Sequence, residues 1–350
     1  MLLVTSCDTG SANALAPVLA DLNSDYRLYA QADAARVFAR WGILYEPVGA
    51  MTWEDLRSVG TQLLSRYRGV SAVVTGTSWG PTIDKALTLA AREQRVPCAA
   101  LVEHWDLYLE RFSVVKGGEI SDPGCFFPDR IWVNDSIAML EGAIMGLPAE
   151  KLEVVGQPHL EWQLNQLLER MHGVQRRNEV VFVSERVGTD FVAGGPLYRG
   201  FDEYSVLKCM IKACAFSDCQ LTVKLHPQED FGKFDDLLNG RSGIEVVKDA
   251  DNIEMIARSR YFVGMFSMLL LEAALVRSDV FSFFPGGDPS IFIGNRIGAT
   301  VSLTNDEDLR VIIDKPFDES RNENISATAF GKRFVGSKVR LTNFINRFVS

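Results

Sequence analysis

Two short polar clusters in the second half of the chain carry residue types that phosphate chemistry needs. Lys224-Leu225-His226-Pro227 closes an apolar run that starts at Leu221, and Phe266-Ser267 follows Phe262-Val263-Gly264 and opens an apolar segment containing Glu272 and Ala273. An imidazole can donate to a phosphate oxygen, and Pro227 stops the strand and fixes the turn that presents His226. Lys224, two residues earlier, falls on the same face of that strand. A serine opening a helix offers its hydroxyl and nearby unpaired N–H groups to an anion, which is the role open to Ser267. Glu272 lies about a turn and a half further along, where a carboxylate accepts two hydrogen bonds from paired ribose hydroxyls. In so apolar a helix it needs a partner, either such hydroxyls or a neighbouring arginine. Ser184-Glu185-Arg186, after the run Val180-Val181-Phe182-Val183, adds a hydroxyl and a guanidinium suited to oxygen-rich anions, a surface loop being the other reading.

The first half offers groups for proton transfer. Glu103-His104-Trp105-Asp106 comes directly after the apolar run Ala99 to Val102. Three ionisable side chains there supply a general base with neighbours able to tune it, and Glu103, His104 and Asp106 are the candidates. The plainer alternative is a solvated loop anchored by Trp105. Thr9-Gly10-Ser11-Ala12 is a small-residue turn after the first strand, where Gly10 lets a ligand approach the backbone, or where Asp8 or Ser11 simply caps the helix. It is not a GxGxxG fingerprint, so a dinucleotide-dependent dehydrogenase is poorly supported. Thr75-Gly76-Thr77-Ser78-Trp79-Gly80 offers hydroxyls and amides to an anion, with helix capping ahead of Pro81 and Thr82 as the stronger reading.

An alternating pattern of strands and helices positions these clusters. Strands are expected at Leu2 to Val4, Tyr26 to Ala30, Ala72 to Gly76, Pro97 to Val102 and Arg130 to Val133. Helices are expected from Ala14 to Leu22, Ala34 to Trp41 and Thr82 to Glu93 between them. After a polar helical connector the logic repeats. Strands at Val180 to Val183, Gln220 to Leu225, Ile244 to Val247, Tyr261 to Gly264 and Val280 to Phe284 alternate with helices at Tyr204 to Phe216, Asn252 to Arg258 and Leu269 to Val276. This pattern calls for parallel sheets with helices on both faces, which hold ligands beyond the carboxyl ends of their strands. The expected class is therefore α/β, with two Rossmann-like doubly wound domains facing each other across a cleft. The boundaries read as 1–160 for a first domain, 161–178 for the connector, 179–328 for a second domain and 329–350 for an amphipathic helix that either packs back on the first domain or touches an anionic membrane surface. No low-complexity segment or repeat of solenoid period is present.

Bulk composition narrows the classes. A chain of 350 residues suits two domains better than one core, and 47% hydrophobic with 23% charged residues is ordinary for a globular enzyme. No apolar run approaches the roughly 20 residues that span a bilayer. The start, Met1 to Cys7, lacks a basic region and reads as a buried strand rather than a signal peptide, which points to the cytosol, with at most peripheral membrane contact. A net charge of -9 argues against a general nucleic-acid binder. The six cysteines form no CxxC pair and no metal-ligand spacing, and Cys209, Cys214 and Cys219 read as small core residues rather than ligands or disulfide partners.

Taken together, the pairing of Lys224-Leu225-His226-Pro227 with Gly264-Met265-Phe266-Ser267 and Glu272-Ala273, behind a first half with Gly10 and Glu103, resembles glycosyltransferases of the GT-B fold. It looks most like bacterial surface-polysaccharide enzymes with an HP motif and a later serine motif. The resemblance implies that His226 contacts the donor phosphate, Ser267 binds it through hydroxyl and backbone, and Glu272 holds the donor ribose, with the acceptor on the first domain. The non-hydrolysing UDP-GlcNAc 2-epimerases share that fold, and Val74 to Ser78 and Leu101 to His104 are similar to their GDT and HVEAG segments. Here Gly76 is followed directly by Thr77 where that family has aspartate, and no Glu-x-Asn-Arg follows Glu103.

The expectation is a transferase moving a sugar from a nucleotide-sugar to a hydroxyl acceptor on a glycan, lipid or protein. Glu103, His104 or Asp106 acts as base, and Gly10, Ser184, Arg186, Lys224, His226, Pro227, Ser267 and Glu272 bind the donor. There is no DxD motif, and no metal or other cofactor is expected. A UDP-sugar 2-epimerase-like enzyme and a non-catalytic nucleotide-sugar-binding protein are the alternatives.

Overall fold

A computed structural model describes residues 1–67, 69–78, 80–116, 119–190, 199–317 and 326–349. Its strands are β1 (Leu2–Ser6), β2 (Tyr26–Gln31), β3 (Glu46–Val48), β4 (Ala72–Thr75), β5 (Cys98–Val102), β6 (Val114–Lys116), β7 (Glu119–Asp122), β8 (Arg130–Val133), β9 (Leu152–Val154), β10 (Glu179–Val183), β11 (Gln220–Lys224), β12 (Ile244–Val247), β13 (Tyr261–Gly264), β14 (Val280–Phe283) and β15 (Val301–Leu303). They form a seven-stranded parallel sheet in the order β3-β2-β1-β4-β5-β8-β9, a six-stranded parallel sheet in the order β12-β11-β10-β13-β14-β15, and a small antiparallel pair β6-β7. Both large sheets are doubly wound. Strand order reverses between β1 and β4 in one and between β10 and β13 in the other, and such switch points are where open α/β sheets leave a crevice for ligands.

The central strands are buried over their whole length. All five residues of β1, of β5 and of β10 are buried, as expected of parallel strands covered on both faces. One unit consists of Met1–Trp162 together with Arg333–Ser350, and the other of Gln163–Lys332. The helix Ser337–Val349 therefore belongs with the first sheet, burying Leu341 and Ile345 in the same core cluster as Leu15 and Val18. Phe344 and Phe348 stand edge-on to Trp132, with ring centroids 6.3 and 5.7 Å away. Glu161 caps this helix by accepting the Lys338 N–H at 2.7 Å. Among the described residues no helix is long and apolar enough to cross a membrane.

Three local differences from the sequence reading have physical reasons. The helix expected from Ala14 begins at Thr9, because the Asp8 carboxylate accepts the Ser11 N–H at 2.9 Å and starts the helix in what reads as a turn. β3, β9 and β15 are three-residue edge strands, too short to show an alternation, and β3 contains Pro47. The helix Trp53–Arg66 is obscured by Gly60, whose missing Cβ lets it lie against the helix Ile83–Gln94. A Cβ at that position would come within 2.8 Å of the Ala86 carbonyl oxygen.

Candidate functional site

In the first unit the polar residues converge beyond the carboxyl ends of β1, β4 and β5. Glu103 leaves β5 and turns inward. Its carboxylate pairs with Arg111 at 3.2 Å, both side chains being almost wholly buried, and lies 3.4 Å from the Thr77 hydroxyl. Arg111 also donates to the Thr77 carbonyl and hydroxyl at 3.3 and 3.2 Å. Gln157 donates to the Glu103 carbonyl at 3.0 Å. Burial raises Glu103 above the ordinary carboxylate range, with Arg111 pulling against it. Gly10 has a specific reason to be glycine, since a Cβ there would sit 2.7 Å from the Glu103 carboxylate.

His104 turns outward, paired with Asp106, whose carboxylate also lies 3.8 Å from the Arg111 guanidinium. Nδ1 of His104 lies 2.8 Å from the Asp106 carboxylate, and the side chains are 26% and 49% exposed. Between them Trp105 is fully buried and donates its indole N–H to Asp135 at 3.1 Å. The loop is thus anchored by its aromatic residue while its dyad meets solvent. Leu107, next in the chain, adopts φ +53, a left-handed conformation that a leucine accepts only where surrounding contacts enforce it.

Several residues that the sequence reading missed complete this unit. Asp84, wholly buried, accepts from the Thr5 hydroxyl at 2.7 Å and from the Ser78 hydroxyl at 3.3 Å. Burial pushes its carboxyl up to about 7, the hydroxyl of Thr5 opposing the shift. Lys85 donates to the Ser113 carbonyl at 3.0 Å and is brought down to about 8 by desolvation. Both sit in the first turn of a helix, where Asp is so usual that it gives no warning. The faint signal is that Asp84 and Thr88 share a helical face otherwise made of core residues. Asn134 is buried just past β8, beside Glu103 in strand register (Val102 pairs with Val133), and its amide atoms have no hydrogen-bond partner among the described residues. Of the expected cluster Thr75 to Gly80, Thr77 and Ser78 are buried within this network, and Trp79 lies outside the described residues.

The second unit brings its expected residues to the carboxyl ends of β10, β11 and β13, with internal duties for several of them. Ser184 is buried and donates to Glu229 at 3.0 Å. Lys224 is buried, with its ammonium on the carbonyls of Leu225 and Lys248 and its pKa lowered by desolvation. Arg186 reaches the Gln228 side chain at 2.5 Å. His226 is half-buried, and its Nδ1 accepts the Gln228 N–H at 3.2 Å. That places the proton of the neutral ring on Nε2, the nitrogen able to donate to an anion. Pro227 is exposed. Ser267 caps the helix Met268–Ala274 by accepting the Leu269 N–H at 3.2 Å, and Glu272 sits half-buried on that helix.

Around these residues is a carboxylate cluster that the sequence does not announce. Glu185 accepts the Phe266 N–H at 2.7 Å across the β10/β13 switch point, and its carboxyl is pushed up to about 7 by burial, with the N–H groups of Phe266 and Met265 opposing. Lys233 forms ion pairs with Glu203 and Glu229. Glu203 in turn accepts the Gly188 N–H at 2.6 Å, and Glu229 accepts the His226 N–H at 2.8 Å. Only the i,i+4 spacing of Glu229 and Lys233 is visible in sequence. Among the described residues, no group of three His, Cys, Asp or Glu side chains is arranged to hold a metal ion.

Comparison with known proteins identifies the fold. No model of a known family matches the sequence. No curated protein matches it. Solved structures do. UDP-GlcNAc 2-epimerase from Methanocaldococcus jannaschii superposes with a TM-score of 0.66 at 13% identity, covering 99% of each chain. The Neisseria meningitidis UDP-GlcNAc 2-epimerase bound to UDP-GlcNAc gives 0.65 at 13% identity, over 99% of this chain and all of that one. An Anabaena protein solved with UDP and glucose gives 0.59 at 14% identity, again over 99% of this chain and all of that one. At such identities the likeness speaks for the fold alone. The chain is an α/β protein of two Rossmann-like domains, matching the GT-B-like fold of these epimerases.

Proposed function

We propose that the chain is an enzyme acting on a nucleotide-sugar, and that it transfers the sugar to a hydroxyl acceptor. The observation that carries this reading is the His104–Asp106 dyad, an imidazole held through Nδ1 by a carboxylate at 2.8 Å and open to solvent at the end of β5. A carboxylate on Nδ1 leaves Nε2 as the basic nitrogen and steadies the imidazolium that forms when it takes a proton. In the reaction, Nε2 of His104 accepts the acceptor hydroxyl's proton. The hydroxyl oxygen bonds to the anomeric carbon, and the bond from that carbon to the donor phosphate oxygen breaks, leaving its electrons on the phosphate. Glu103, locked to Arg111, orients this loop and does not move a proton. In the second unit, His226 through Nε2–H and Arg186 bind the phosphate, where charge grows, and Glu272 accepts from the ribose hydroxyls. The fold supports a nucleotide-sugar partner because proteins of the same architecture were solved with UDP-GlcNAc, UDP, or UDP and glucose.

Epimerisation of a UDP-sugar is the second reading, favoured by the 2-epimerases among the matching structures. One experiment separates the two. Thermal shift against UDP, CMP, CDP and GDP compounds selects the donor, because a ligand that binds only the folded state raises the melting point by mass action. The selected donor is then incubated with and without candidate hydroxyl acceptors. Release of nucleotide that depends on acceptor and is lost in His104→Ala supports transfer. Interconversion of the sugar with no acceptor present establishes epimerisation instead, and donor binding with no turnover leaves a binding protein.

A further inference from the structure

We infer that Cys214 and Cys219 form a reversible dithiol/disulfide pair, oxidised by peroxides. Cys214 is the penultimate residue of the helix Glu203–Ala215, and Cys219 directly precedes β11. The chain reverses tightly between them. The Ser217 N–H donates to the Cys214 carbonyl at 3.1 Å, and the Ser217 hydroxyl lies 2.9 Å from Cys219 Sγ and 3.5 Å from the Cys214 carbonyl oxygen. Asn178 donates to the Asp218 carbonyl in the same turn, and Arg260 donates to the Asn178 side chain at 3.0 Å, which brings a guanidinium to the edge of the pair. Cys214 is buried and Cys219 half-buried, so an oxidant meets Cys219 first.

The electrostatics single out the same sulfur. Hydrogen bonding from Cys214 pulls the Cys219 thiol down, with Ser217 and Arg260 adding to it against the cost of burial. The same contact pushes Cys214 up. Burial pushes Cys7, Cys98 and Cys209 up to about 12. A thiolate, not a thiol, is the nucleophile in such chemistry, so one sulfur of the chain is prepared and its neighbour is placed to resolve the product.

In the first step the Cys219 thiolate attacks one oxygen of hydrogen peroxide. The O–O bond breaks, hydroxide leaves and takes a proton from solvent, and Cys219 becomes a sulfenic acid. In the second step Cys214 sulfur attacks Cys219 sulfur. The S–O bond breaks, the leaving hydroxide takes the Cys214 proton as water, and the S–S bond forms. Two thiols and one peroxide give one disulfide and two waters. A dithiol reductant reverses the change.

A single tryptic peptide, Ala213–Lys224, contains both cysteines. The full chain is treated with hydrogen peroxide at low molar excess, free thiols are blocked, and that peptide is weighed. The expected result is a peptide lighter by two hydrogens and resistant to the blocking reagent, restored by dithiothreitol. Cys214→Ser is expected to stop at a sulfenic acid that dimedone traps on residue 219, and Cys219→Ser to leave the peptide unoxidised under the same dose. Oxidation of Cys7, Cys125 or Cys209 before this peptide in the unsubstituted chain, or over-oxidation of Cys219 to sulfinic acid with no disulfide, overturns the inference.

Discussion

Both units place a carboxyl group at the point where strand order reverses, but they solvate it differently. Between β1 and β4, Asp84 is met chiefly by the hydroxyls of Thr5 and Ser78, with the Cys7 N–H beside them. Between β10 and β13, Glu185 is met by backbone N–H groups, with Glu229 and Glu203 near enough to raise it further. In each case burial is the largest cause of a shift to about 7. Hydroxyls serve a carboxyl in either protonation state, because they accept as readily as they donate. Backbone N–H groups only donate and favour the ionised form, so the second unit must balance several carboxylates and does so with Lys233. The first unit keeps its strongest charges apart from Asp84, in the buried Glu103–Arg111 pair, and the same guanidinium lies 3.8 Å from the exposed Asp106 carboxylate.

The sharpest way to break this comparison is Arg111→Met, which strands the buried Glu103 carboxylate and is expected to cost about 3–5 kcal/mol. Urea unfolding reads it, and a loss below about 1 kcal/mol would mean that Glu103 is neutral and needs no partner. His104→Ala is expected to lower turnover by about 10²- to 10⁴-fold with the urea midpoint unchanged. A matching loss of stability would reduce the dyad to a structural bond. Lys233→Met should cost somewhat less than Arg111→Met, about 3 kcal/mol, the low end of the range for a broken buried pair, since Lys233 retains partial access to water. Equal losses would erase the proposed contrast between one dominant pair and a shared ammonium.

The raised carboxyls set a pH dependence. A folded-state pKa of about 7 against an ordinary 4.5 means that the folded chain holds the Glu185 proton over that interval while the unfolded chain has lost it. The contribution of this group to stability is therefore fully present below pH 4.5 and is lost as pH rises to about 7. Glu185→Gln should flatten that fall, and Asp84→Asn should do the same from 3.8 to about 7. Unfolding free energies of each variant and the parent across pH 4 to 8 check the sign, as differences, because Asp251 and Asp279 are shifted downward and act in the opposite sense. The smallest effect expected is Ser267→Ala, about 1 kcal/mol for a lost helix cap. If it also weakens nucleotide binding in the thermal-shift panel, the hydroxyl serves the ligand as well as the helix.

The long apolar strands, their alternation with helices and the placement of Glu103, His104, His226 and Ser267 just past strand ends are legible in the sequence. Parallel strands buried on both faces leave unbroken apolar runs, and a polar residue after such a run has little choice but to lie at the sheet's edge. Local pattern says nothing of orientation across the sheet. Glu103 and His104 are neighbours in the chain, yet one turns in to Arg111 and the other out to solvent. Gly10 is readable as a place of close approach, but only the fold names what approaches it, the Glu103 carboxylate.

By itself, then, the sequence determines the layered α/β architecture and which strand ends carry polar chemistry, because burial periodicity is written along the chain. Tertiary structure alone decides which of those groups are spent on one another. Arg111 meets Glu103 across a loop, Lys233 meets Glu203 from 30 residues away, and Thr5 meets Asp84 from 79 away. Ionisation and hydrogen bonding depend on distance in space, and the packing of strands and helices sets that distance while separation along the chain does not.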